Sequence, residues 1–231
     1  MIDCHCHIHK EYNCIFNLPE TIDITEIKER NTNINTNQTE KEYYSYGIHP
    51  WNVTNEIECE KYLLTLQTLL KEKRIIAIGE CGLDTKLTQN DILIQKKWFI
   101  KQIELAQEYQ VPVYIHTFNT INDIISIKQK WKDQIWIIHG FTSALQQAKQ
   151  LIDLNCYISI GRSVLNKNNV KINQILKLAF ERRRLLIETD NDDSHVVDLK
   201  DIYVSIAERL EIDVEMLKEY IHDVVGNLFH V

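Results

Sequence analysis

Two histidines near the start of the chain have the spacing of a metal-binding pair. His5 and His7 follow the apolar Ile2 in a short segment that also carries Asp3. If this segment is a β-strand, its period of two places Asp3, His5 and His7 on one face. Two imidazoles held side by side on a rigid backbone can bind one cation through nitrogen, as hydrolytic metal sites require. On these residues alone, a chance pair near the N-terminus explains the pattern equally well.

Other histidines and acids stand where apolar segments end. Each of these segments has the composition of a buried strand, and the polar residue comes at or near its last position. The residues concerned are Glu80, His116, His139 and Asp190. Imidazole and carboxylate together suit first-row divalent ions, and a carboxylate can bridge two of them. Each residue alone could be a hydrogen-bonded strand end, but together with the first two histidines they predict a metal site.

The chain around these residues alternates between two kinds of segment. Apolar stripes with helical spacing occur at 56–73, 89–110, 121–132, 144–154, 171–181, 199–210 and 214–224. Apolar runs typical of strands occur at 14–18, 43–48, 74–80, 111–116, 134–139, 157–161 and 185–190, after the first strand that carries His5. Segment 20–30 is predicted as a short helix or an irregular loop, and the Asn- and Thr-rich segment 31–38 as a polar loop.

Eight strands separated by helices predict a parallel α/β protein closed into a (β/α)8 barrel, also called a TIM barrel. We expect one domain over residues 1–231, and a doubly wound open sheet is the alternative. In a barrel, the C-terminal ends of all strands open onto one face, where active sites lie. The candidate ligands are therefore expected to meet there. The remaining histidines are interpreted as surface or packing residues: His9, His195, His222 and His230.

Composition excludes some classes of protein. The 231 residues carry a net charge of −7, which argues against binding nucleic acid through bulk electrostatics, although a local basic groove is permitted. No apolar run reaches the roughly 18 residues of a membrane span, so a cytoplasmic protein is predicted, with no membrane contact and no obligate protein partner. The six cysteines lack Cys-x-x-Cys spacing and are expected to be buried free thiols.

A set of short motifs occurs in order along the chain. They are Asp3-Cys-His-Cys-His7, Gly47-Ile-His-Pro, Ile78-Gly-Glu-Cys-Gly-Leu-Asp84, Val111-Pro-Val-Tyr-Ile-His116, Ile138-His-Gly-Phe, Ile187-Glu-Thr-Asp190 and Gly226-Asn-Leu-Phe. Together they resemble the TatD family of metal-dependent deoxyribonucleases and hydrolases, which belongs to the amidohydrolase superfamily. The resemblance covers essentially the whole chain, and the Gly-Glu-x-Gly-Leu-Asp element combined with His-x-His is highly specific.

The resemblance implies a cofactor of one or two divalent metal ions, such as Zn, Mg or Mn. One ion would be held by His5, His7, Glu80 and Asp190, and a second by Glu80, His116 and His139. A bound ion lowers the pKa of water so that it can attack at neutral pH, and two ions also neutralise charge that develops on a phosphoryl group. Glu80 and Asp190 are the implied catalytic residues, and Asp190 has the dual role of ligand and proton acceptor.

Four further residues are predicted to bind substrate or to orient the ligands. His49 would contact a substrate phosphate or donate to a ligand, and a turn histidine stacked on Trp51 is the alternative. Glu188 shares a face of the eighth strand with the last candidate ligand and is expected to point into the barrel. Asp84 is either an orienting carboxylate or a turn residue. Arg162, after the seventh strand, either contacts phosphate or pairs with a surface charge.

Two loops depart from the family pattern. Thr117-Phe-Asn-Thr follows the fifth-strand histidine, where the family usually has an arginine-containing stretch. Asn191-Asp-Asp-Ser follows the eighth-strand aspartate, where Ser-Pro and an aromatic residue are usual. The added acids Asp192 and Asp193 would repel a polyanion. Both departures affect loops around the substrate and leave the implied ligands in place.

The implied function is hydrolysis of DNA phosphodiester bonds by a metal-activated water, with the action of a 3′ exonuclease. The partner would be DNA or another phosphoester substrate. An alternative is a metal-dependent hydrolase of a small phosphoester, an amide or a lactone, which the acidic loop would suit. A third interpretation is a barrel that binds metal without catalysis, and the complete set of six ligands argues against it.

Overall fold

Eight parallel strands form one sheet in the computed structural model, which describes residues 1–8, 12–24, 27, 42–86 and 91–230. The strands are β1 (Ile2–Cys6), β2 (Asn13–Asn17), β3 (Glu42–Tyr46), β4 (Ala77–Asp84), β5 (Val113–Phe118), β6 (Trp136–Ile138), β7 (Cys156–Ile160) and β8 (Leu185–Ile187). They lie side by side in chain order. Each neighbouring pair is parallel, so the predicted architecture is confirmed.

The sheet closes where β1 meets the segment that follows β8. The backbones of residues 5–7 and 190–191 exchange hydrogen bonds of 2.9 and 3.1 Å. The carboxylate of Asp3 strengthens the junction, because it accepts hydrogen bonds from the backbone amide of Thr189 at 2.9 Å and from its hydroxyl at 2.7 Å. These bonds join the first strand to the last. The predicted (β/α)8 barrel is confirmed, and the open sheet is not the fold.

Seven helices follow the strands in the described part of the chain. They are α1 (Glu56–Lys71), α2 (Ile92–Tyr109), α3 (Ile121–Lys128), α4 (Leu145–Asp153), α5 (Lys171–Glu181), α6 (Leu199–Leu210) and α7 (Val214–Phe229). All were predicted. None of them has the length and apolar character that spanning a membrane requires. The predicted polar loop at 31–38, residues 25–26 and 28–30 of segment 20–30, and His9 lie outside the described residues.

Two helices end four or more residues away from their predicted limits, for visible reasons. Helix α3 ends at Lys128, before the predicted 132, because the buried Lys128 amine donates to the carbonyl groups of Trp131 and Gln134 at 2.6 and 2.5 Å and closes a turn. Helix α7 continues to 229, beyond the predicted 224. Its last turns carry the buried Leu228 and Phe229, which extend the apolar face onto the core.

The core contains the inner faces of the helices and nearly all strand side chains. Trp98, Trp136 and Tyr114 are among its largest fully buried side chains. All six cysteines are buried free thiols, as predicted. No cysteine belongs to the clusters of possible metal ligands found among the described residues, which contain only imidazole and carboxylate groups.

Candidate metal centre

Six predicted residues meet at the C-terminal end of the barrel. They are His5, His7, Glu80, His116, His139 and Asp190. The Glu80 carboxylate lies at the centre. Its Oε1 atom is 3.0 Å from Nε2 of His5 and 2.9 Å from Nε2 of His7. Its Oε2 atom is 2.7 Å from Nε2 of His139 and 3.3 Å from Nδ1 of His116.

The two oxygens of Glu80 therefore face two different groups of ligands. On the Oε1 side, Asp190 completes the predicted first set, with Oδ1 at 3.6 Å from Nε2 of His7. One ligand atom from each of these four residues lies within 4.8 Å of all the others. On the Oε2 side, His116 and His139 approach each other to 3.2 Å. His49 also reaches this side, and its ligand atom lies within 4.8 Å of those of Glu80 and His116.

Two glycines bring Glu80 and His116 together. Gly79 and Gly82 flank Glu80 in β4 and have φ angles of 134° and 150°, which favour glycine. A Cβ atom on Gly82 would lie 2.0 Å from the carbonyl oxygen of His116, and one on Gly79 would lie 2.6 Å from that of Tyr114. Strand β4 can approach β5 this closely only without those side chains. The glycines of the Gly-Glu-x-Gly motif thus position the central carboxylate.

Two predicted strand ends at the site were wrong by three residues or more. The fourth strand was predicted at 74–80, but β4 runs over 77–84, because residues 81–84 pair with β5. The eighth strand was predicted to end at Asp190, but β8 ends at Ile187. Asp190 has a φ of 53°, so the backbone has already turned, and Glu188 and Asp190 do not share a strand face.

Asp84 lies directly behind His116. Its Oδ2 atom is 2.8 Å from Nε2 of His116 and accepts a hydrogen bond of 2.8 Å from the indole of Trp51. The carboxyl is buried, and burial raises its pKa, but the hydrogen bonds from His116, the Lys86 amide and Trp51 outweigh burial and hold the pKa below its usual range. An ionised carboxylate in this position orients the imidazole that it contacts.

Glu188 is fully buried beside His139. It accepts hydrogen bonds from the backbone amide of Gly140 and from the hydroxyl of Ser159. Its Oε1 atom is 3.8 Å from Nδ1 of His139, a distance that allows charge attraction but no hydrogen bond. The predicted inward direction of Glu188 agrees with these contacts, which place a carboxylate behind a second candidate ligand.

Arg162 lies at the open side of the cluster. It begins a 3-10 turn over Arg162–Leu165, directly after β7. Its Nη2 atom is 3.3 Å from Oδ2 of Asp190, and 41% of its side chain is exposed. The guanidinium therefore borders the cluster and still faces solvent. Both predicted alternatives, a charge pair and a phosphate contact, are compatible with this position.

The carboxylates of the cluster are ionised and are stabilised by positive charge. Burial raises the pKa of Glu80, but His139, His5 and His116 together outweigh it and hold that pKa well below its ordinary value. Burial lowers the pKa of His7, and the carboxylates of Asp190 and Glu80 outweigh it and raise the pKa to about 10. Ionised acids packed among imidazoles attract a cation. The donors are imidazole nitrogen and carboxylate oxygen, so the residues fit a divalent metal.

The histidine next to this cluster is electrostatically different. Burial lowers the pKa of His49 to about 3, although the Glu80 charge opposes the shift. His49 also contacts Trp51 edge-on, with ring centroids 5.1 Å apart. The predicted stacking on Trp51 and the predicted position at the site are thus both present. From the sequence, Trp51 was considered only as that stacking partner, and its hydrogen bonds to Asp84 and His49 were missed. Its position two residues after His49, in the same turn, was the feature of the sequence that could have indicated them.

A cavity of about 900 Å³ lies at the opposite end of the barrel. It is lined by residues that precede β4, β5 and β6, among them Ile76, Pro112 and Ile135, and by Trp131. None of the clustered histidines or acids reaches it. Metal binding and acid–base catalysis require the clustered histidines and acids, so the candidate site is the polar cluster at the C-terminal end of the barrel.

Comparison with known proteins gives one family. The model of the TatD related DNase family matches residues 2–230. YabD of Bacillus subtilis, named an uncharacterized metal-dependent hydrolase, is 33% identical over 150 residues, which span 64% of this chain and 58% of YabD. The 3'-5' ssDNA/RNA exonuclease TatD of Klebsiella pneumoniae is 30% identical over 128 residues, which span 54% of this chain and 48% of that protein.

The fold has close counterparts among solved structures. The crystal structure of YjjV, a TatD homologue from Escherichia coli, superimposes with a TM-score of 0.83. The match covers 100% of this chain and 98% of that chain, at 20% sequence identity. At this identity, the similarity establishes a common barrel architecture.

Proposed function

The chain belongs to the TatD related DNase family, and we propose on this premise that it is a divalent-metal-dependent hydrolase of phosphodiester bonds that acts at the 3′ end of single-stranded nucleic acid. The observation that carries the proposal is the central position of Glu80. Each of its carboxylate oxygens faces a separate group of nitrogen ligands, within 3.3 Å. A carboxylate placed between two groups of nitrogen ligands can hold two ions close together, as two-metal hydrolysis needs.

The first ion would be held by His5, His7, Glu80 and Asp190, and the second by Glu80, His116 and His139. When bound, such ions supply a water made nucleophilic at neutral pH and positive charge opposite the phosphoryl oxygens. The protein contributes the proton acceptor. Asp190 is 27% exposed, whereas Glu80 is 3% exposed, so only Asp190 is open to an incoming water. We assign Asp190 the proton transfer and Glu80 the central bridge.

The charged groups at the mouth support a phosphate-containing substrate. Arg162 reaches solvent beside Asp190, and its planar guanidinium can bind two phosphate oxygens at once. Lys86 lies over the ring of Trp51, with its amine 5.2 Å from the ring centroid. Trp51 and Phe118 are 41% and 44% exposed, and both follow or end strands at this end of the barrel. Exposed aromatic rings of this kind stack bases of single strands.

A second candidate function is hydrolysis of a small phosphoester, an amide or a lactone. It is favoured by the net charge of −7 and by the acidic segment after Asp190, where Asp193 is exposed. Negative charge at the mouth weakens the binding of a long polyanion more than that of a small substrate. The cytoplasmic location and the lack of an obligate protein partner stay predictions.

We expect a chelator to abolish hydrolysis and added Mn²⁺ or Zn²⁺ to restore it. The substrates are a single-stranded oligonucleotide labelled at its 5′ end, which a 3′ exonuclease shortens stepwise, and the small diester bis(p-nitrophenyl) phosphate. Asp190→Asn should lower kcat by about 10²-fold or more, because it removes the proton acceptor. The matched control Asp133→Asn makes the same chemical change at an exposed position at the opposite end of the barrel and should retain wild-type kcat.

Each result separates one interpretation from the others. Activity that survives both chelation and Asp190→Asn would exclude metal-dependent water attack. Cleavage of the small diester without shortening of the oligonucleotide would exclude the nuclease assignment and favour the second candidate function.

A further inference from the structure

His49 has a hydrogen-bonding pattern that restricts what it can do. Its Nδ1 atom accepts a hydrogen bond of 3.1 Å from the backbone amide of Trp51, which caps the short 3-10 turn Pro50–Asn52. A backbone N–H can only donate, so Nδ1 must offer its lone pair and carries no proton. The neutral imidazole of His49 therefore has its proton on Nε2.

His116, the neighbouring histidine, has the opposite arrangement. Its Nε2 atom is 2.8 Å from the Asp84 carboxylate, which can only accept. The proton of His116 is therefore on Nε2, and Nδ1 presents a lone pair to Glu80 at 3.3 Å. Since a metal ligand needs a lone pair, His116 can bind an ion from this side. The neutral His49 has no lone pair to offer on the side that faces the cluster.

Both arrangements depend on Trp51. Its backbone amide binds Nδ1 of His49, and its indole N–H binds the same Asp84 oxygen that contacts His116. One residue thus helps to set the proton positions of two adjacent imidazoles, whose ring centroids are 4.4 Å apart. This connection explains why two histidines in the same place are prepared for different roles.

The protonated Nε2 atom of His49 faces the space above the cluster. It lies 3.8 Å from Oε2 of Glu80, which is too far for a hydrogen bond. The side chain is 17% exposed, so part of the ring faces solvent. Among the residues that the structure describes, no hydrogen bond from this nitrogen is found. The second ligand group does not need His49, because Nε2 of His139 already lies 2.7 Å from Oε2 of Glu80.

We propose that His49 is a hydrogen-bond donor to the substrate and not a metal ligand. Its Nε2–H group binds a non-bridging oxygen of the scissile phosphate, and the Trp51 amide holds the ring in the required tautomer. Negative charge that shifts onto such an oxygen in the transition state strengthens the bond, so the residue acts mainly on kcat. The identity of that oxygen rests on the proposed function, whereas the exclusion of His49 from the metal set does not.

Two substitutions separate the two sides of the ring. His49→Asn keeps an oxygen that can accept from the Trp51 amide, as asparagine does at many caps, but it has no donor in the place of Nε2. His49→Gln is long enough to place an amide N–H near the position of Nε2, but it loses the cap. We expect His49→Asn to lower kcat by about 10²-fold, the effect of removing one oxyanion donor, and His49→Gln to recover part of that loss.

Two measurements that do not need activity accompany the kinetics. Metal content, measured by mass spectrometry after loading with Mn²⁺ and removal of excess ion, should be the same in both variants and the wild type. Nitrogen NMR of the histidine rings, with the His49 signals assigned by comparison with His49→Asn, should show the proton on Nε2 with and without Zn²⁺. The kinetic substrates are bis(p-nitrophenyl) phosphate and a single-stranded oligonucleotide.

Three outcomes would overturn the proposal. Loss of one metal equivalent in His49→Asn would make His49 a ligand. Wild-type kcat in His49→Asn with a lower kcat in His49→Gln would make it a cap alone. A ring proton on Nδ1 would remove the basis of the argument. Failure of the wild type to cleave either substrate would instead reject the proposed function. In that case, metal content and NMR would still decide whether His49 is a metal ligand.

Discussion

The roles that we propose for His116 and His49 depend on the hydrogen bond at the far side of each ring. His116 has a carboxylate there, at 2.8 Å, and His49 has a backbone amide at 3.1 Å. A carboxylate leaves the near nitrogen as an acceptor, whereas an amide leaves it as a donor. Two side chains of the same type, one in β5 and one in the turn after β3, would thus act as a ligand and as a donor. Ligand strength is set in the same way, since an anionic partner makes an imidazole more basic.

We expect Asp84→Asn to weaken the second metal selectively. The substitution removes the negative charge behind His116, so affinity should fall by about 10- to 100-fold, the usual effect of losing such a partner. The measurement is a titration of metal-free protein with Mn²⁺ in competition with a chelator. One of two binding steps should weaken in Asp84→Asn, and neither step should change in the exposed control Asp193→Asn. Unchanged binding in Asp84→Asn would show that this carboxylate does not support a ligand.

At the scale of elements, the close approach of β4 and β5 creates the site. Glu80 and His116 lie inside these strands and not at their ends, because residues 81–84 remain paired with β5 beyond the ligands. Glycine at 82 makes this pairing possible, since any side chain there would collide with the carbonyl of His116. The glycine positions of the Gly-Glu-x-Gly motif are therefore required for packing, and the same motif supplies the candidate ligand Glu80.

We expect Gly82→Ala to destabilise the barrel by about 3 kcal/mol through overpacking and backbone strain. The Cβ atom would lie 2.0 Å from a backbone oxygen, at a φ of 150°. Urea unfolding followed by circular dichroism measures the free energy of unfolding. Gly226→Ala, inside helix α7, is the control and should stabilise the protein by about 0.5–1 kcal/mol, the usual gain from glycine to alanine in a helix. If Gly82→Ala had the same free energy of unfolding as the wild type, the steric argument would be wrong.

The alternation of strands and helices could be read from the sequence because apolar periodicity follows burial. Even the short strand near Cys14 was predicted, and it forms β2. The turn at Asp190 could not be predicted in the same way. Its φ of 53° reflects the backbone bonds between residues 190–191 and 5–7, which a pattern of side chains does not record. The extension of β4 was missed because its glycines resemble the end of a strand.

At the scale of the whole molecule, closure of the barrel makes the site. The junction between residues 5–7 and 190–191 joins the first strand to the segment after the last strand and places Asp190 beside the first two histidines. The convergence of the six candidate residues was predictable because a barrel opens all strand ends onto one face. The tautomer of His49 was not, since it depends on a hydrogen bond behind the ring that only the folded chain defines.

The charge of the whole molecule bears on its substrate. The net charge is −7, yet Arg162 and Lys86 lie at the mouth of the site. Local positive charge beside a metal centre can hold one or two phosphates without a basic surface over the rest of the protein. This distribution fits a substrate end better than the middle of a long duplex.

The most direct measurement is anomalous diffraction from crystals soaked in Mn²⁺, with chelator-treated crystals as the control. We expect two manganese peaks, one on each side of the Glu80 carboxylate. The first should contact His5, His7 and Asp190, and the second should contact Nδ1 of His116 and Nε2 of His139, with no bond to His49. Crystals that bind no manganese at Glu80, while the same protein cleaves phosphodiesters in the presence of chelator, would contradict the metal centre.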